Sequence, residues 1–138
     1  DNTHGLQLQF YEEEDYLKAQ WSPKQHLSGY MNMLHGGIQA TLLDEIASWI
    51  VQVKLGTSGV TAHLELRYKK PVFVDQGKIL LQAKIKSRKR NIVEVAVDLL
   101  NSEKVICCTG TAKYFIFPEK VAKEKLHYPG FEKFQVEK

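Results

Sequence analysis

The sequence predicts an α+β fold in which one long helix lies across an antiparallel sheet. Two observations carry that expectation: a single stretch with a helical hydrophobic period at 37–55, and alternating apolar runs on both sides of it. A third sets the scale. With 138 residues, 43% hydrophobic and 25% charged, the chain suits one globular domain able to bury a core without disulfides or metal. The same composition excludes collagen-like, mucin-like and largely disordered chains.

The elements follow in order. Leu6, Leu8 and Phe10 alternate with polar residues, the acidic run 12–15 interrupts, and Leu17, Ala19 and Trp21 alternate again, which predicts an opening hairpin. Residues 22–35, with Pro23 and Gly29, read as a loop. Beyond Gly37, Leu42, Ile46 and Ile50 recur every four residues, beside a second row of Leu43, Ala47 and Val51. So broad a stripe predicts a mostly buried helix. No Gly or Pro breaks its interior, and Gly56 stands where a C-terminal cap belongs. At about 1.5 Å per residue it runs on the order of 27 Å.

Val60, Ala62, Leu64, Leu66 and Tyr68 then alternate with Thr61, His63, Glu65, Arg67 and Lys69 until Pro71 stops the strand. Ile79, Leu81, Ala83 and Ile85 form the next apolar face, and Val93, Val95, Val97 and Leu99 the one after it. The last strand covers 105–117, ahead of Pro118. Short turns between successive strands predict antiparallel hairpins. The domain is expected to span 1–118, with a charged tail at 119–138 packing on or beside it and a short helix ending near Leu126.

Charge is unevenly spread. The net value is +3, too mild to imply a nucleic-acid protein, yet 67–90 holds nine basic residues against Asp75 alone. No apolar run approaches the roughly 18–20 residues needed to span a bilayer, since 37–55 contains Asp44, Glu45 and Lys54. The N-terminus has no basic-then-apolar leader pattern. Cys107 and Cys108 are adjacent, so they point to opposite faces of a strand and a disulfide between them would be strained. They read as buried thiols of a reducing, cytoplasmic compartment. No metal-ligand spacing is present, and no metal is expected.

The chemistry concentrates at the start of the helix. Gly36 and Gly37, after His35, allow close backbone approach and leave amide N–H groups to meet a carbonyl oxygen that develops negative charge. An ordinary glycine-rich turn into a helix explains the pair equally well. Asp44 lies seven residues on, within about 20° of the same helix face. A carboxylate on an apolar helix costs free energy unless it is paired or useful. Glu45 points about 100° away and suits solvent or a salt bridge. Gly37 and Asp44 are separated by roughly 10 Å along the axis, and catalytic hydrogen bonds reach about 3 Å. If the two cooperate, the amide of one subunit must face Asp44 of another, which predicts a symmetric dimer with two composite sites.

His35, Gly36, Gly37, Asp44 and Glu45, followed by Gly59, Val60, Thr61 and Ala62 and then Arg67, Tyr68, Lys69, Lys70 and Pro71, resemble the hotdog-fold acyl-CoA thioesterases of the PaaI type. The resemblance covers about 28–117. It implies a sheet wrapped around a central helix, a homodimer often paired into a tetramer, and hydrolysis of an acyl-CoA thioester. By that likeness Asp44 is the general base or, alternatively, the nucleophile. The Gly37 amide polarises the carbonyl, His35 orients the substrate or the loop, and Thr61 helps hold water. Relatives often carry Asn or Gln six residues before this His, where Gly29 stands here, and Asn32 is the nearby substitute.

Coenzyme A carries a pyrophosphate and a 3′-phosphate, which suit Arg88, Lys89 and Arg90 first and Lys69 and Lys70 next. A solvated basic edge that discourages aggregation explains them as well. Nucleic-acid binding is not expected, because no stacking aromatics are interleaved at 88–91. No separate cofactor is implied, coenzyme A being part of the substrate. His4, His26, His63 and His127 have no partners in sequence and read as surface or structural, and Trp21 and Trp49 as core or interface. Two rivals stand beside the thioesterase: a hotdog hydratase or dehydratase, and a non-catalytic acyl-CoA or lipid binder.

Overall fold

The computed structural model describes residues 9–23 and 32–117. Leu6, Leu8, Gly29, His4, His26, His127 and the tail at 119–138 lie outside these. Strands β1 (Gln9–Glu13) and β2 (Tyr16–Trp21) form the opening hairpin, with Glu14 turning through a positive φ of 58°. Helix α1 (Gly36–Leu55) follows, then β3 (Gly59–Tyr68), β4 (Ile79–Lys89), β5 (Ile92–Leu100) and β6 (Ile106–Ile116). All pairings are antiparallel, in the order β1-β2-β4-β5-β6-β3.

Helix and sheet bury one another through their matching stripes. Leu42, Leu43, Ile46, Ala47, Ile50 and Val51 of α1 pack with Leu81 and Ala83 of β4, Val93, Val95, Val97 and Leu99 of β5, and Ala112, Tyr114 and Ile116 of β6. The helix ends as its sequence demands: Gly56 takes φ 67° and donates its N–H to the Gln52 carbonyl at 3.0 Å. Trp21 is core, and Trp49 packs against the core beside Phe10.

Two expectations are corrected. The β3–β4 connection is not a hairpin: β3 pairs with β6, and β4 leaves to join β2. The intervening segment 69–78 instead ties down the loop before the helix, where Leu34 N–H reaches the Val72 carbonyl at 2.6 Å and Met33 bridges to Phe73. Strict alternation also fails in β3. A register shift between Thr61 and His63 leaves Thr61 opposite Tyr114, and Leu64 opposite Ala112. An extra residue in one strand reverses which side chains face inward. Thr61 therefore joins the helix-facing side.

Cys107 and Cys108 are buried free thiols, as expected. Burial, then Cys107 and Asp98 nearby, pushes the Cys108 thiol up to about 11. Both should resist iodoacetamide at pH 8 in the folded protein and both should label in denaturant. Two labels per native chain by mass spectrometry would contradict this.

Candidate active site

The N-terminus of α1 is set by three residues. His35 is the cap, and its Nδ1 accepts from the Gly37 N–H at 3.1 Å. Its own carbonyl accepts from Ile38 and Gln39. The expectation of an uncommitted Gly37 amide is thus corrected, because the imidazole takes the capping role more usual for Ser, Thr, Asp or Asn. Gly36 lies against the Tyr68 ring, which a Cβ there would meet at 3.5 Å, an ordinary contact. The Tyr68 hydroxyl donates to the Gly36 carbonyl at 2.7 Å. Asn32 precedes this cap at a positive φ of 65°, with its carbonyl accepting from Val74.

Asp44 is half-buried, two turns further along α1. The Thr61 hydroxyl donates to its Oδ1 at 2.9 Å. Tyr114, from β6, reaches the same Oδ1 at 2.6 Å and the Asp44 backbone carbonyl at 2.8 Å. Two hydroxyls converge on one carboxylate oxygen, and neither of these bonds goes to Oδ2. Burial, reinforced by the Asp44 carboxylate, pushes the Tyr114 phenol well above its ordinary range, so it stays a donor. Glu45 accepts the Trp49 indole N–H at 3.1 Å. Among the described residues no group of His, Cys, Asp and Glu could hold a metal.

The structure brings Asp44 and Thr61 together, and His35 with Gly36 and Gly37, but keeps the two groups apart along one continuous helix. Seven residues at about 1.5 Å each make roughly 10 Å. The basic residues divide the same way. Lys69 and Lys70 are exposed at the end of β3, where both amides bond the Cys107 carbonyl, near the Gly36 end of α1. Arg88, Lys89 and Arg90 are exposed at the β4–β5 turn, with Arg88 in line, across Val93, with Tyr114. From Cys108 to Tyr114 along β6 is roughly 20 Å, so one protomer does not gather both clusters at one phosphate.

Sequence reading missed Tyr114. It alternates with Ala112 and Ile116 on an inward apolar face. A hydroxyl on such a face needs a partner, which is the signal that could have found it.

One helix lying over an antiparallel sheet thus carries a hydroxyl-anchored acid two turns beyond a glycine pair at its start. Residues 31–108 match the family described as Thioesterase superfamily, and the chain belongs to it. An uncharacterised protein of Schizosaccharomyces pombe is 30% identical over 105 residues, 74% of this chain, and the chain spans only 60% of that relative. A hypothetical thioesterase of Streptococcus pneumoniae, solved with coenzyme A, superposes with a TM-score of 0.72 at 22% identity, covering 84% of this chain and 91% of the other. That protein has also been solved with one aspartate and, separately, one threonine changed to alanine. A Streptococcus mutans protein bound to acetyl-CoA gives a TM-score of 0.72 at 20% identity, over 85% of this chain and 92% of the other. The fold is the hotdog fold. No helix among the described residues is long and apolar enough to cross a membrane.

Proposed function

We propose that the protein is a PaaI-type acyl-CoA thioesterase that hydrolyses its substrate to a carboxylic acid and coenzyme A at composite sites of a homodimer. The observation that carries the reading is the half-buried Asp44 carboxylate, held through Oδ1 by Thr61 and Tyr114. Water gives a proton to Oδ2 as its oxygen attacks the thioester carbonyl carbon. The carbonyl oxygen, gaining charge, takes the Gly37 N–H in place of His35 Nδ1. The C–S bond then breaks, and the departing thiolate recovers the proton from Asp44.

The β3 edge supports the dimer. It is ten residues long, pairs with β6 on one side, and exposes Val60 and Tyr68 at 52% each. A ten-residue edge strand presents a row of backbone N–H and C=O groups that a second chain can pair with. In antiparallel pairing with its own copy, centred near Leu64, the Thr61 end of one strand lies beside the Tyr68 end of the other. Asp44 and the 88–90 turn of one protomer then approach Gly37, Lys69 and Lys70 of its partner. Both basic clusters, distant within one chain, fall at one site, as a ligand with two separated phosphate groups requires. The coenzyme A and acetyl-CoA bound by the two streptococcal proteins favour the same ligand class.

Thiol release from a panel of acyl-CoA thioesters, read with a chromogenic reagent, tests the activity. Turnover with equal acid and thiol is expected. Hydration of an enoyl-CoA without thiol release would favour the hydratase, and retention without turnover the binder. Light scattering should give two or four times the 15.8 kDa chain mass, and a monomer at assay concentration would contradict the composite site.

A further inference from the structure

We infer that Tyr114 is a positioning residue that fixes which oxygen of Asp44 takes the proton, an inference resting on Asp44 as base. The ring is 2% exposed in the core between α1 and β6, and its hydroxyl is within hydrogen-bond distance of Asp44 oxygens. A phenylalanine would fill the same space without burying a hydroxyl. Here that desolvation is offset at Asp44, at 2.6 Å to Oδ1 and 2.8 Å to the backbone carbonyl.

The two donors to Oδ1 differ in what they can enforce. Thr61 is exposed on the edge strand beside the register shift, and its hydroxyl turns on a short side chain. Tyr114 sits on β6 between β5 and β3, and its position is set by core packing. It grips residue 44 at both the carboxylate and the backbone, so it couples the carboxylate orientation to the helix itself. With Oδ1 occupied by two donors, Oδ2 is the oxygen that accepts from water. Burial, with the Asp44 carboxylate beside it, keeps the phenol protonated, so Tyr114 stays a donor.

The test is Tyr114→Phe in the full chain, alone and combined with Asp44→Ala, assayed for thiol release from the best acyl-CoA thioester. The phenylalanine variant should keep its circular dichroism spectrum and lose kcat by about 10–100-fold, the scale of a misplaced catalytic group, with KM within about two-fold. In the Asp44→Ala background the same substitution should change the residual rate by less than about two-fold, because the group it acts through is gone. An unchanged kcat in folded Tyr114→Phe overturns the inference. So does an equal loss in both backgrounds, which would mark a general effect on the fold. Full activity in Asp44→Ala alone would instead overturn the reading of Asp44 as base.

Discussion

Asp44→Ala should lower kcat on the best acyl-CoA thioester by about 10²–10⁴-fold, the range expected when a general base is removed. Asp44→Asn should lose nearly as much, because the amide keeps the shape but cannot take a proton from water. Neither change should unfold the protein. The Tyr114 hydroxyl retains the backbone carbonyl of residue 44 as an acceptor at 2.8 Å, and Thr61 is exposed enough to turn to water. A folded Asp44→Ala protein with an undiminished rate would remove Asp44 from the reaction.

Gly110→Ala should cost stability rather than chemistry, and heavily. A Cβ at Gly110 would lie 1.9 Å from the Glu65 carbonyl oxygen and 2.8 Å from Leu66 Cδ2. The first is backbone, so no rotamer change relieves it, and β3 must move off β6. Gly59, at the other end of the same seam, is nearly as tight, 2.5 Å from the Phe115 carbonyl. Forced overpacking costs about 1–3 kcal/mol and sometimes more, and this contact belongs at the upper end. The melting temperature should fall by roughly 10 °C. Since β3 carries Thr61 and the proposed dimer edge, mass and activity should fall with it. Wild-type melting in Gly110→Ala would mean the two strands are not so closely packed.

Much of this architecture was written in local periodicity. The four-residue repeat of Leu42, Ile46 and Ile50 marked the helix, Gly56 marked its end, and alternation marked the strands. What alternation could not reach was pairing between distant segments. That β3 lies against β6 depends on contacts between residues forty or more positions apart, such as Leu66 with Gly110. The register shift beside Ala62 is equally invisible, and it decides which way Thr61 faces. Asp44 stood out because a charge in an apolar row needs a reason. Tyr114 did not, because an aromatic residue in a strand suits the core whether or not its hydroxyl has work. His35 as a cap was hidden by its absence from the usual capping residues.

The composite site is the claim on which the chemistry depends, and subunit mixing tests it most directly. One chain would carry Asp44→Ala. The other would carry Gly37→Pro, which deletes the amide donor in the first helical turn, where proline is tolerated. Each homodimer should be inactive. After co-refolding of equal amounts, half of the dimers are mixed, and each mixed dimer regains one intact pairing of Gly37 with the opposite Asp44. The account predicts about a quarter of the wild-type rate. If each site lies wholly within one chain, mixing restores nothing, and a mixture as inactive as its parents, with mixed dimers verified by mass, would contradict it.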